Sequence, residues 1–219
     1  MNKTDIQLKE DVEQELRWDP SLNAAQVGVS VAAGKVTLLG TVDTYAQQAA
    51  AEVAVKRVGG VHGLKQELKV KLSAEHQRSD RELAEVAQQV LDWDVLVPKG
   101  VKVKVKDGWV TLEGAVTWNF QRDAAERAMQ HTVGVVGASN CIALKTQPLA
   151  SEVKEKVEQA LRRQATADAK SINVDTSGGQ VTLTGYASSW QAIEDATSAA
   201  WAAPGVVKVV AEVRKSLPN

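Results

Sequence analysis

Few side chains here could carry acid–base, metal or nucleophilic chemistry: the sequence has three histidines and one cysteine. His62 lies just past Gly59-Gly60, His76 in a polar stretch, and His131 at the end of a helical pattern. None is paired with another His or Cys three or four residues away, the spacing at which one helical turn aims two ligands at one metal. Cys141 stands alone, which excludes an intrachain disulfide and a cysteine-based zinc site; its surroundings suit a small hydrophobe better than a nucleophile. The carboxylates fall mostly on helix surfaces, and no phosphate-cradling G-x-x-x-x-G-K-[ST] loop occurs. The sequence therefore predicts no catalytic residue, no cofactor and no metal site.

Two features point to binding instead. Lys102, Lys104 and Lys106 alternate with Val101, Val103 and Val105. A period of two places the lysines on one sheet face, opposite the valines. Such a ladder suits lipid phosphates, at ~1 kcal/mol per lysine near an anionic surface. It also suits the protection of an exposed strand against edge-to-edge pairing. The second feature is tryptophan, which supplies six of the nine aromatic residues. Trp18 and Trp93 occupy equivalent helix-end positions and read as packing residues. Trp109 and Trp201 align instead with polar residues in sister segments, and Trp118 and Trp190 stand where helices begin. These four are predicted to be exposed or to lie between domains. An indole suits a bilayer interface, because its ring is apolar and its N–H prefers water; it suits a domain or subunit contact equally well.

The elements that position these residues come from a repeat. Val36-Thr37-Leu38-Leu39-Gly40 recurs as Val110-Thr111-Leu112-Glu113-Gly114 and as Val181-Thr182-Leu183-Thr184-Gly185. The closing glycines are 74 and 71 residues apart, and Gly60, Gly134 and Gly205, each followed by Val, repeat both intervals. Two landmarks in register three times define a tandem repeat. The predicted domains are 1–73, 74–147 and 148–219, each near the lower size limit for an independent core.

Each unit reads helix, hairpin, helix, strand. In the first, Leu8, Val12 and Leu16 form one helical face, with Thr4 and Gln7 as a capping box. Val27, Val29 and Val31 alternate, Ala33-Gly34 turns, and Asp43 is the expected cap of a second helix buried through Ala51, Ala54, Val55 and Val58. In the second unit, Ser79 and Glu82 form the box. Leu83, Val86, Ala87, Val90 and Leu91 face inward, Asp107-Gly108 turns, and Thr117 caps. In the third, after a linker containing Pro148, Val153, Val157, Ala160 and Leu161 make the first face. Gly178-Gly179 turns, Ser188 caps, and Ala196, Ala199, Ala200 and Ala203 are buried. The expected class is α+β: three αββαβ units, each a three-stranded sheet covered on one face by two helices. Strand order is left open.

Net charge is −1, and the three units carry 0, −1 and 0. That balance excludes the basic excess of a dedicated nucleic-acid binder. No run approaches the ~18–20 apolar residues of a membrane span. The polar N-terminus lacks a secretory pattern; it points to the cytoplasm if Met1 is the natural start, and leaves the periplasm open if it is not.

This plan, with V-x-L-x-G in the hairpin, an alanine-rich helix and a closing Gly-Val, resembles the BON domain (bacterial OsmY and nodulation) in three tandem copies. The resemblance implies the αββαβ fold, no catalysis, association with phospholipid membranes, and a role in osmotic or envelope stress. Many such proteins are periplasmic or envelope-anchored. Two functional readings follow. One is a non-catalytic stress protein that associates peripherally with phospholipid, its modules acting together through avidity. The other is a soluble scaffold or a small-ligand or ion-binding module, with a protein partner or self-association covering its exposed apolar surface.

Overall fold

The computed structural model describes residues 3–145, 153–163, 171–187 and 189–215. The first repeat runs α1 (Asp5–Trp18), β1 (Val27–Ala32), β2 (Lys35–Val42), α2 (Tyr45–Arg57) and β3 (Gly63–Val70). The second runs α3 (Asp80–Trp93), β4 (Lys102–Lys106), β5 (Trp109–Val116), α4 (Asn119–Gln130) and β6 (Gly137–Leu144). The third runs α5 (Val153–Arg163), β7 (Ile172–Ser177), β8 (Gln180–Ala187), α6 (Trp190–Trp201) and β9 (Lys208–Lys215). The chain is thus three α+β units of order αββαβ. By contact it divides into two compact units, Met1–Gly114 with Arg122–Ile142, and Ala115–Gln121 with Ala143–Asn219.

Strand order is 1-2-3 in every sheet, so the V-T-L strand is central. β1 pairs with β2 antiparallel through the Ala33-Gly34 turn, and β3 returns parallel to β2 after the α2 crossover. Ala33 (φ 50°) and Gly34 (φ 73°) are both left-handed, as are Asp107 (52°) and Gly108 (75°). That is the backbone of a two-residue hairpin whose twist matches its strands.

The closing glycines of the V-T-L strands answer to a different constraint. A Cβ on Gly40 or Gly185 would stand 2.0 Å from the carbonyl oxygen of Gln26 or Ser171, and one on Gly114 2.9 Å from that of Gly100. The chain entering each hairpin crosses the central strand there, and all three glycines have positive φ. Only glycine meets both demands.

The helices form where the apolar period places them. Thr4 and Gln7 make their capping box at 3.2 and 3.1 Å, and Ser79 and Glu82 make theirs. Leu8, Val12 and Leu16 are buried in the first repeat, Leu83, Ala87 and Leu91 in the second, and Val153, Val157 and Leu161 in the third. Ala51, Ala54, Ala196 and Ala200 are buried where the second helices press on their sheets.

The second-helix caps fall later than the sequence pattern suggests. Thr44, not Asp43, caps α2; its extended backbone aims Oγ1 at the Gln47 N–H at 3.2 Å. The Asp43 N–H is taken by Gln47 Oε1. Thr117 likewise donates its N–H to Gln121 Oε1, and α4 starts at Asn119. Ser188 and Pro148 lie outside the described residues, and Ser189 caps α6.

Candidate functional site

The lysine ladder lies on the sheet face away from the helices. Lys102, Lys104 and Lys106 are exposed, and in register they face Glu113, Thr111 and Trp109. Lys104 pairs with Glu113 at 2.7 Å, so part of the ladder's charge is already neutralised by the neighbouring strand.

Trp109 shares that face but is held to the sheet. Its indole N–H donates to Ser139 Oγ at 2.9 Å, and a Cβ on Gly137 would stand 2.4 Å from the ring. The ring lies across Gly137, covering a strand position with no side chain of its own. Lys35 lies over Gly63 in the same way, with its Cγ 3.3 Å from where that Cβ would be. Trp109 therefore stays 48% exposed yet fixed.

The other three predicted residues sit elsewhere. Trp118 is half-buried before α4, its backbone N–H on Gln121 Oε1. Trp190 and Trp201, both half-buried, begin and end α6, and Trp201 packs against the core of the third repeat beside Val209 and Val213. Twelve helical residues separate the ends of α6 by ~18 Å, so these two rings do not form one patch.

The pair expected to pack is instead the most exposed. Trp18 is 85% and Trp93 74% accessible. Leu16 and Leu91 bury the last inward position of each helix, and the residue two further on points outward. The same turn follows in both repeats. Asp19 Oδ1 accepts the Ser21 N–H at 3.0 Å and its hydroxyl at 2.6 Å, and Asp94 Oδ1 accepts the Leu96 N–H at 2.8 Å. The Ser21 hydroxyl, then its backbone N–H, hold the Asp19 carboxyl below its ordinary value; Arg57 adds to this and partial burial opposes it.

In the second repeat this tryptophan extends an apolar stripe. Val86, Val90 and Trp93 stand at i, i+4 and i+7 on one face of α3. Val86 was expected to face inward but is 42% exposed, and Val90 is half-exposed. The loop beyond adds Val95, 97% exposed, and the exposed Leu96, with exposed Lys99 following. The same helical positions in α1 are Asp11, Glu15 and Trp18; Asp11 pairs with Lys3 and Glu15 with Arg57. The stripe thus belongs to the second repeat alone among these two. A signal was available in the sequence: a valine aligned with a charged residue in a sister repeat is a surface valine.

Among the described residues no three His, Cys, Asp or Glu side chains are grouped to hold a metal. No described helix is long and apolar enough to cross a membrane.

The chain is a tandem array of three small α+β modules, and the second carries an exposed apolar stripe on α3. The chain belongs to the BON domain family: residues 4–71, 79–145 and 150–214 each match the BON domain. No curated protein matches it. Two solved structures of CdsD, a structural protein of the type III secretion system of Chlamydia trachomatis, align with it. The first covers 97% of this chain and 93% of its own at 16% identity and a TM-score of 0.27. The second, the C-terminal domain, covers 99% and 100% at the same identity and TM-score.

Proposed function

We propose that this chain is a non-catalytic, stress-related protein that associates peripherally with phospholipid membranes, and that the face of α3 and its following loop enter the lipid interface. The observation that carries this reading is the exposed run of Val86, Val90, Trp93, Val95 and Leu96. A contiguous apolar surface of this kind marks an interaction site. An amphipathic helix with a terminal tryptophan can lie in the interface plane, its valines in the acyl boundary and its indole N–H among headgroups. Net charge of −1 argues against recruitment by charge alone. The exposed Lys99 and the lysine ladder supply a secondary attraction to anionic lipid.

The test is co-sedimentation of the full chain with zwitterionic and with anionic vesicles, at low and at physiological salt. Binding should survive salt and fall at least about tenfold, ~1.4 kcal/mol, in Trp93→Ala. Failure of both vesicle types to sediment the protein would end the reading.

A further inference from the structure

Trp109 and the lysine ladder meet on the open face of the second sheet, and of the three repeats only this one carries either. In register, Lys106 stands beside Trp109, Lys104 beside Thr111 and Lys102 beside Glu113. The places of the three lysines are taken by Gly28, Ser30 and Ala32 in the first repeat and by Asn173, Asp175 and Ser177 in the third. The place of Trp109 is taken there by Lys35 and Gln180. β1, β4 and β7 are all edge strands. Protection against edge-to-edge pairing is needed equally in all three, so it does not account for a ladder in one. The lysines go with the indole.

The indole is presented as a flat, fixed surface. The Val136 N–H donates to the Gly108 carbonyl at 3.0 Å and the Lys145 N–H to the Val116 carbonyl at 2.8 Å, which sets Gly137 beside Trp109. One face of the ring covers Gly137 and its N–H is held by Ser139, so the 48% that is exposed is the side away from the sheet. A side chain already fixed gives up little freedom when a ligand stacks on it. From Lys106, level with the ring, the ladder runs ~14 Å along β4 to Lys102, at about 3.4 Å per residue. Among the described residues of this face Glu113 is the only carboxylate, and it pairs with Lys104. The exposed Lys102 and Lys106 therefore leave the face positive.

We propose that this face binds an anionic polysaccharide, a chain of pyranose rings bearing carboxylates. One sugar ring stacks on Trp109, and the carboxylates of that ring and its neighbours meet Lys106 and Lys102. The flat side of a pyranose is a set of C–H bonds with slight positive charge, which the negative face of an indole attracts. Its hydroxyls lie around the rim, where Thr111 and Glu113 offer hydrogen-bond partners. A carboxylate on an ammonium group is a charge-assisted hydrogen bond, among the stronger kinds. Single-stranded nucleic acid fits less well, because it stacks successive bases on several aromatic rings and this face has one. A bilayer fits less well too, because an indole laid on the sheet with its N–H engaged does not turn into the acyl boundary.

NMR titration of the full chain without lipid tests this, reading the Trp109 indole and Ser139 amide signals. The probes are a β-linked glucuronate tetramer and its uncharged counterpart, cellotetraose. The glucuronate should shift both signals with a Kd of about 0.1–1 mM, and cellotetraose should bind at least about tenfold more weakly. Trp109→Ala, followed at Ser139, should weaken glucuronate binding at least about tenfold, as loss of a central contact does. Gly137→Ala, which keeps every charge but displaces the ring, should do the same. Lys102→Ala with Lys106→Ala should bring glucuronate down to the level of cellotetraose and leave cellotetraose as it was. Should Trp109→Ala not fold, Gly137→Ala and the lysine pair still decide. No shift with glucuronate up to about 10 mM overturns the proposal. So does full binding in Gly137→Ala or in the lysine pair, or equal binding of the two sugars. Oligothymidylate or glycerol phosphate moving these signals at lower concentration than the glucuronate also overturns it, and assigns the face to nucleic acid or to lipid headgroups. None of these outcomes depends on whether the face of α3 binds vesicles.

Discussion

The carboxylate of Asp80, first residue of α3, holds the turn at Gly108. It accepts the Gly108 N–H at 2.9 Å and the Asp107 N–H at 2.8 Å. Asp5 does the same in the first repeat, taking Ala33 at 2.8 Å and Gly34 at 3.0 Å. One side chain thus ties a helix start to a hairpin tip nearly thirty residues away. Hydrogen bonds to a charged group contribute about 1.5–3 kcal/mol, so Asp80→Ala should lower unfolding free energy by roughly that amount. Asp80→Asn keeps one acceptor oxygen and should lose less. Urea unfolding of both variants checks this; equal losses would show that the second oxygen contributes nothing.

The closing glycines give a sharper contrast. Gly40 has φ 116° and no room for a Cβ, while Gly28 on the neighbouring strand has its nearest such contact at 3.7 Å. Gly40→Ala should cost about 3 kcal/mol or more, combining backbone strain with a clash against a carbonyl that cannot move alone. Gly28→Ala should be neutral or slightly stabilising, since it removes only unfolded-state freedom. Thermal melts of the two variants measure the difference, and a small loss in Gly40→Ala would mean that the crossing loop relaxes.

Much of this fold was legible in sequence because its signals are local. The i, i+4 stripe of Leu8, Val12 and Leu16, the Thr4–Gln7 box and the Asp107-Gly108 turn each follow from a few adjacent residues. The long-range contacts were not legible. Nothing near Asp80 announces that it reaches Gly108, and the motif glycine Gly40 owes its identity to Gln26, which lies outside the motif. The candidate surface failed for a related reason. Trp18 and Trp93 recur, and recurrence alone suggests packing; but an exposed residue recurs as readily when the turn after it recurs. Val86 and Val90 fit an apolar helix face, yet Leu83, Ala87 and Leu91 alone fill the space beneath α3.

Trp109 and Gly137 should be coupled. Gly137→Ala puts a methyl where the ring lies, so Trp109 must swing away and give up Ser139. A cost of about 1–2 kcal/mol is expected, with a red shift of Trp109 emission. In a Trp109→Ala background the same change should cost nothing, because the obstacle is gone. A double-mutant cycle on equilibrium unfolding reads the coupling directly, and additive losses would show that the ring does not rest on Gly137 in solution.

The Asp19 turn should be visible as a pH dependence. Ser21 depresses the Asp19 carboxyl in the folded chain. A depressed folded pKa contributes stability that is present above the unfolded aspartate value, about 4, and is lost as pH falls through the lower folded value. Ser21→Ala removes the hydroxyl donor and leaves the backbone one, so the folded pKa should rise part of the way. Carboxyl titration by NMR should show that rise in Asp19, and an Asp19 titration unchanged by the substitution would show that the hydroxyl does not hold the carboxylate in solution.

The apolar face of α3 can be given the polarity of α1 without disturbing either core. Val86 and Val90 correspond to Asp11 and Glu15, which the first repeat carries on the same helical face with its fold intact. Val86→Asp with Val90→Glu should therefore fold, since both side chains lie outside the buried set of Leu83, Ala87 and Leu91. It should also remove two of the residues proposed to enter lipid and place two anions near the headgroups. Vesicle partitioning should fall by at least about a hundredfold, ~2.7 kcal/mol, and the blue shift of Trp93 on adding vesicles should disappear. Trp109→Ala should leave partitioning unchanged, because that ring is engaged with Gly137 and Ser139. The reverse result, loss in Trp109→Ala and none in the valine pair, would move the lipid contact from the face of α3 to the lysine-bearing face of the sheet.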